Sequence, residues 1–150
     1  MNATIAGRSA VAAVLFAAAC LSTGCKKTRP NELTVYPVKG RVTHNGEPMS
    51  HAILTFYPAD KEFSSALKSR ASADAEGNFV LTTYELNDGA PAGEYKLVLY
   101  WPVDPPGPFD LEQPNPPDRL KHQYSDPVKT KLKTTYVVKA EPTTLDVKLP

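Results

Sequence analysis

The 150-residue chain has two cysteines, Cys20 and Cys25, and none after residue 25. Everything beyond that point therefore lacks disulfides, thiolate metal sites and thiol redox chemistry, and an exported domain would have to hold itself by burial alone. Strong charge of either sign is also missing. Seventeen basic and sixteen acidic side chains nearly cancel, which removes the long-range field that nucleic acids or acidic polymers would need, and nucleic acid is not expected as a partner. The run Val11–Ala19 falls short of the roughly 20 apolar residues of a spanning helix. Aromatics are sparse at 9%, while prolines number 15 and glycines 8; this describes a turn-rich globular chain, with room for one domain and one core.

The N-terminus reads as an address. Arg8 precedes the apolar run Val11–Ala19, and small residues follow up to Cys25, the order of a secretory signal. Leu21-Ser22-Thr23-Gly24-Cys25 resembles the bacterial lipobox, in which a cysteine is acylated, with chains such as palmitate, and becomes the new N-terminus. The usual leucine three places before the cysteine is replaced by Ser22, with Leu21 one step further away. Cys20, after Ala17-Ala18-Ala19, is the alternative acceptor. The resemblance implies a signal peptide over 1–24, lipidation at Cys25 and a polar tether over 25–34. The membrane is then a partner through lipid alone, since each buried CH₂ contributes about 0.8 kcal/mol. Loss of Arg8 with the signal leaves a formally neutral mature chain.

From Tyr36 onward the apolar pattern has period two and no helical stripe competes with it. Tyr36, Val38 and Val42 fall on one face, with Gly40 in the same inward register, and Lys39, Arg41 and Thr43 fall on the other. His44-Asn45-Gly46-Glu47 is a tight turn, because Asn-Gly supplies the positive φ angles of hairpins. Ala52 to Tyr57, apolar on both faces, predicts a central strand ended by Pro58. Ser69 to Ala73 and Phe79 to Thr83 flank a turn at Asp74–Asn78. Tyr95, Leu97, Leu99 and Trp101 alternate with Lys96, Val98 and Tyr100 in the strongest strand. Seven of the sixteen residues from Pro102 to Pro117 are proline, so 102–118 is a loop with polyproline character. Lys131–Val138 and Thr144–Leu149 close the pattern, with Leu132, Tyr136, Val138 and Leu145, Val147, Leu149 inward. Seven short strands spaced by turns predict an all-β class, a single β-sandwich domain over 35–150.

Three stretches resemble the carboxypeptidase regulatory-like domain, a transthyretin-like (Ig-like) sandwich found in small lipoproteins of planctomycete type. They are Gly40-Arg41-Val42 continuing through Gly46-Glu47-Pro48 to Ala52-Ile53-Leu54, then Asp74-Ala75-Glu76-Gly77-Asn78-Phe79, then Pro91-Ala92-Gly93-Glu94-Tyr95-Lys96-Leu97. Gln123-Tyr124-Ser125-Asp126-Pro127 is similar to the tail segment of those lipoproteins. In the second stretch Glu76 replaces the second aspartate of the family's turn. The resemblance implies a cell-envelope location, lipid-anchored and facing the periplasm or exterior, and a non-catalytic module; it brings no catalytic residues.

The chemistry-bearing residues agree with a non-enzymatic reading. Related hydroxyisourate hydrolases use paired histidines, an arginine and a C-terminal Tyr-Arg-Gly-Ser, whereas this chain ends Leu145-Asp146-Val147-Lys148-Leu149-Pro150; a small hydrolase is the third-ranked reading. His44 and His51 flank a turn without a carboxylate or third ligand. Ser64-Ser65 stand in a polar loop without a nucleophile elbow. Asp74, Glu76 and Asn78 place hard oxygens at alternate positions, yet lack the later bidentate glutamate of a calcium loop, so a hydrogen-bonded turn is expected and no metal or cofactor. The alternative function is a carbohydrate-binding sandwich. Its stacking residues would be Tyr100, Trp101, Phe109 and Tyr124, around the proline loop; the competing expectation packs Trp101 and Tyr124 beneath that loop. Pro102–Pro117 is the foremost interaction surface, toward an envelope protein or a glycan.

Overall fold

Alternating apolar residues met by turns become ten strands in the computed structural model, which describes residues 31–60, 66–103 and 116–150. The segment 1–24, both cysteines, Ser64, Ser65 and Phe109 lie outside the described residues. The strands are β1 (Val35–Tyr36), β2 (Val38–His44), β3 (Glu47–Pro48), β4 (Ile53–Pro58), β5 (Ser69–Ser72), β6 (Asn78–Val80), β7 (Ala90–Pro91), β8 (Gly93–Tyr100), β9 (Thr135–Val138) and β10 (Thr143–Leu149). No helix occurs among the described residues, and the class is all-β.

Two four-stranded sheets carry the core. One runs β5-β4-β8-β9 with every neighbour antiparallel. In the other, β2 is central: β10 lies parallel to it on one side, and β3 and β6 share its other side. Val38, Val42, Phe79, Leu145, Val147 and Leu149 from this sheet and Leu54, Phe56, Tyr95, Leu97, Leu99, Tyr136 and Val138 from the other belong to one buried cluster. The period-two pattern thus buries the rows it predicts, because successive side chains of a strand point to opposite faces. β4 and β8 are both interior strands, consistent with their richness in apolar residues.

The strand count exceeds the seven expected by three two-residue strands. Tyr36 leaves the inward row of β2, because Pro37 has no N–H for the ladder; it pairs instead with Ala90 in a separate two-stranded sheet. Glu47–Pro48 continues the Asn45-Gly46 turn, where both residues have positive φ, 52° and 85°, as a two-residue hairpin requires. The expected strand Phe79–Thr83 splits. Leu81 N–H still donates to Val38 O at 2.9 Å, but Thr82 exchanges both backbone bonds with Arg70, and the chain crosses from one sheet to the other. The strand expected from Lys131 begins only at Thr135, because Lys131 N–H bonds back to Gln123 O and Leu132 N–H to Thr130 Oγ1. Leu132 nonetheless packs on the core from that loop.

Gly40 shows why its inward position has no side chain. A Cβ there would stand 2.4 Å from Leu145 O and 2.5 Å from Phe79 Cζ. Phe79 is its cross-strand partner and lies over it. Gly40→Ala must displace both the β2–β10 ladder and the Phe79 ring, and is expected to cost about 2 kcal/mol, in the range of overpacked cores. Urea unfolding should show a lower midpoint with an unchanged slope.

Candidate functional site

The proline segment is held at its base by a small network. β8 ends at Tyr100, and beyond it Pro102 pairs with Asp118 in an isolated antiparallel bridge. Val103 N–H donates to Pro117 O and Arg119 N–H to Trp101 O, at 2.9 and 2.8 Å. The two ends of the segment therefore run side by side, as the legs of a stem.

Asp118 organises that stem. Its side chain is fully buried, and Oδ1 accepts from the N–H groups of Trp101 and Leu120, each at 3.0 Å, while Oδ2 accepts from His122 N–H at 2.9 Å. A buried carboxylate is tolerable only when its lone pairs are filled in this way. His122 Nδ1 lies 3.7 Å from Oδ2, on an exposed ring. Arg119 clamps the opposite leg: Nε donates to Pro102 O and Nη2 to Val103 O, and its guanidinium sits 5.1 Å from the centre of the Trp101 ring, within cation–π range.

Trp101 is half-buried. Its indole N–H donates to Ser50 O at 2.9 Å, and the His44 ring meets it edge-on at 5.8 Å. Tyr100, on the other face of β8, donates its hydroxyl to Pro116 O. Burial and the nearby Asp118 carboxylate push that hydroxyl above its ordinary pKa. Tyr124 is buried in the core cluster, and its carbonyl accepts from Leu99 N–H. Of the residues singled out for stacking, Trp101 and Tyr100 thus stand at the stem and Tyr124 packs in the core, with no open aromatic platform formed by the three. A sugar ring over Trp101 would compete with Arg119 for the indole face.

The other candidates resolve into turn chemistry. Asp74 Oδ1 accepts from the N–H groups of Glu76 and Asn78, and Oδ2 accepts from the Asn78 amide. The Asn78 side chain, followed by the two backbone N–H groups, holds the Asp74 carboxyl below its usual range. Asp126 is lowered in the same way by the N–H groups of Val128 and Lys129. Both carboxyls titrate lower in the folded than in the unfolded chain, so their stabilisation is fully present above the unfolded value near 3.8 and is lost as pH falls from there through the lower folded-state value. The melting temperature should therefore decline as pH falls below about 4, and the double variant D74N/D126N should show a flatter acid limb. His51 is exposed, with φ 59°, and His44 packs on Trp101. Among the described residues no three His, Cys, Asp or Glu side chains gather in a metal-binding group.

Two features have no counterpart in the sequence reading. Asp88 accepts from the N–H groups of Thr83, Tyr84 and Glu85 at 2.7–2.9 Å, repeating the Asp118 device where the chain changes sheets. A concavity of about 1330 Å³ lies beside β2, β6 and β10, with Lys39, Arg41, Val80, Leu86 and Thr144 among its walls. The outward register of Lys39 and Arg41 was its one sequence signal. Comparisons with protein-family models, curated proteins and solved structures return no match.

Proposed function

We propose that the chain is a non-catalytic lipoprotein of the cell envelope, whose transthyretin-like sandwich is a structural or protein-interaction module presenting the proline segment 102–118. The observation that carries the reading is the stem. A buried carboxylate and a guanidinium clamp fix residues 101–103 against 116–119, which is the economy of a displayed segment: the base is ordered before any partner arrives, so less entropy is lost on binding. Proline-rich chain adds to this, since its backbone is already restricted and suits aromatic grooves on a partner. The signal pattern and Cys25 support an envelope location, and the neutral mature charge suits a module that does not act by long-range attraction.

The half-buried Trp101 at the stem keeps carbohydrate binding as the second reading, with Arg119 the group a sugar ring would have to displace from the indole face. Titration of the membrane-extracted protein with envelope polysaccharides, followed by Trp101 fluorescence, separates the two. The interaction-module reading predicts no saturable change with any glycan, together with crosslinks from 102–118 to an envelope protein in intact cells. Saturable quenching lost in Trp101→Ala would replace it with the glycan-binding reading.

A further inference from the structure

Among the described residues strand β10 has one paired edge and one open edge. Its register with β2 runs from Thr143 opposite Val38 to Leu149 opposite His44 without a break. Thr143 N–H donates to Pro37 O, and Leu149 O accepts from Asn45 N–H. In a parallel ladder alternate residues turn their backbone groups to the same neighbour, so the odd-numbered residues serve β2. The N–H and C=O groups of Thr144, Asp146 and Lys148 face the other way, and among the described residues no strand pairs with them.

An open edge is normally blunted by a proline, a bulge, short length, a covering loop or charged side chains, lysine above all. Here the strand is seven residues long and unbulged, and the nearest prolines, Pro142 and Pro150, stand outside it. Its charges are of opposite sign and two residues apart. Asp146 and Lys148 project from the outer face, 59% and 74% exposed, with Oδ2 and Nζ 2.6 Å apart.

That spacing is self-complementary. We propose that the open edge of β10 pairs with the β10 of a second copy of this chain, antiparallel, about a two-fold axis at Val147. This register sets Asp146 opposite Lys148 of the partner subunit, and Lys148 opposite Asp146 of the partner subunit, each couple exchanging both backbone hydrogen bonds. Leu145 then faces Leu149 of the partner subunit, and the buried rows of the two molecules become continuous. The neighbouring registers lack this match. Centring on Asp146 sets aspartate against aspartate, a destabilising pairing of like charges; centring on Leu145 sets Asp146 against threonine and Lys148 against proline. Parallel in-register pairing opposes like to like throughout. The charges on this edge thus select both the partner and the register, the symmetric form of contact commonest in protein dimers.

The pairing requires no lipid and is independent of the function proposed above. It is tested by sedimentation of the full chain, extracted in density-matched detergent, over a hundredfold concentration range. Wild type, Asp146→Lys, Lys148→Asp and the double exchange D146K/K148D are compared. The expected result is a reversible dimer that each single exchange weakens about tenfold or more, because two opposite-charge couples become two like-charge couples. The double exchange should restore it to within about threefold. Melting temperatures of the four proteins guard against a loss of fold. A monomer at every concentration, a dimer indifferent to the single exchanges, or a double exchange weaker than either single one would each overturn the proposal. Pairing of β10 with an unrelated extended peptide while the chain itself stays monomeric would overturn it as well.

Discussion

Replacing Phe56 by alanine is expected to lower the stability of the β domain by about 4 kcal/mol, toward the upper part of the range for buried Phe→Ala substitutions. Phe56 is completely buried on the central strand β4. Its ring lies 6.2 Å from Phe79, 6.3 Å from Tyr95 and 6.0 Å from Tyr136, all within the span of favourable aromatic pairs. Tyr95 and Tyr136 belong to its own sheet and Phe79 to the opposite one, so this side chain is where the two sheets meet. The neighbours cannot close the gap easily. Phe79 is held over Gly40 by the β2–β6 register, and the Tyr95 hydroxyl is fixed to Pro91 O at 2.8 Å. A cavity that cannot collapse costs the full contact loss in addition to the transfer term. The melting temperature should fall by on the order of 15 °C, whereas Phe56→Leu, which keeps most of the volume, should lose less than half as much. Equal losses for the two variants would show that the site is not packed as described.

Asp118→Ala is the second large effect, expected at about 3 kcal/mol because it strands three N–H donors in a buried setting. The damage should be local before it is global. With Trp101, Leu120 and His122 N–H groups released, the legs of the stem separate, and limited proteolysis should cut within 102–118 at protease levels that leave the wild type intact. Asp118→Asn separates charge from geometry. An amide oxygen placed at the Oδ1 position still accepts from Trp101 and Leu120, but its NH₂ group then confronts His122 N–H, so an intermediate loss is expected. If display by the stem underlies binding, Asp118→Ala should weaken partner crosslinking more than it lowers the melting temperature predicts from unfolding alone.

Some of this architecture was legible because it is written locally. The alternation from Tyr95 to Trp101, the Asn45-Gly46 turn and the Asp74–Asn78 turn each depend on residues within a few positions of one another, where periodicity and side-chain-to-backbone bonding decide the outcome. Tyr124, expected beneath the proline loop, lies in the core cluster; loop residues 104–115 are outside those described. The rest is long-range. The parallel pairing of β10 with β2 joins segments about a hundred residues apart in sequence, with no turn between them to announce it. Asp118 and Arg119 follow a proline-rich stretch and read as ordinary solvated charges; only the bridge from Pro102 to Asp118 turns one inward and lays the other on Trp101. The departure of Tyr36 from β2 was signalled by Pro37 and passed over, because its side chain fitted the period even though its backbone could not join the ladder.

The proposed envelope location and lipid tether rest on Cys25, and intact mass measurement of the protein purified from the membrane fraction tests them most directly. The account predicts a mature chain that begins at Cys25 and carries the added mass of glyceride-linked acyl chains, with unprocessed precursor accumulating for Cys25→Ser. A chain with no lipid on either Cys25 or Cys20 would contradict it.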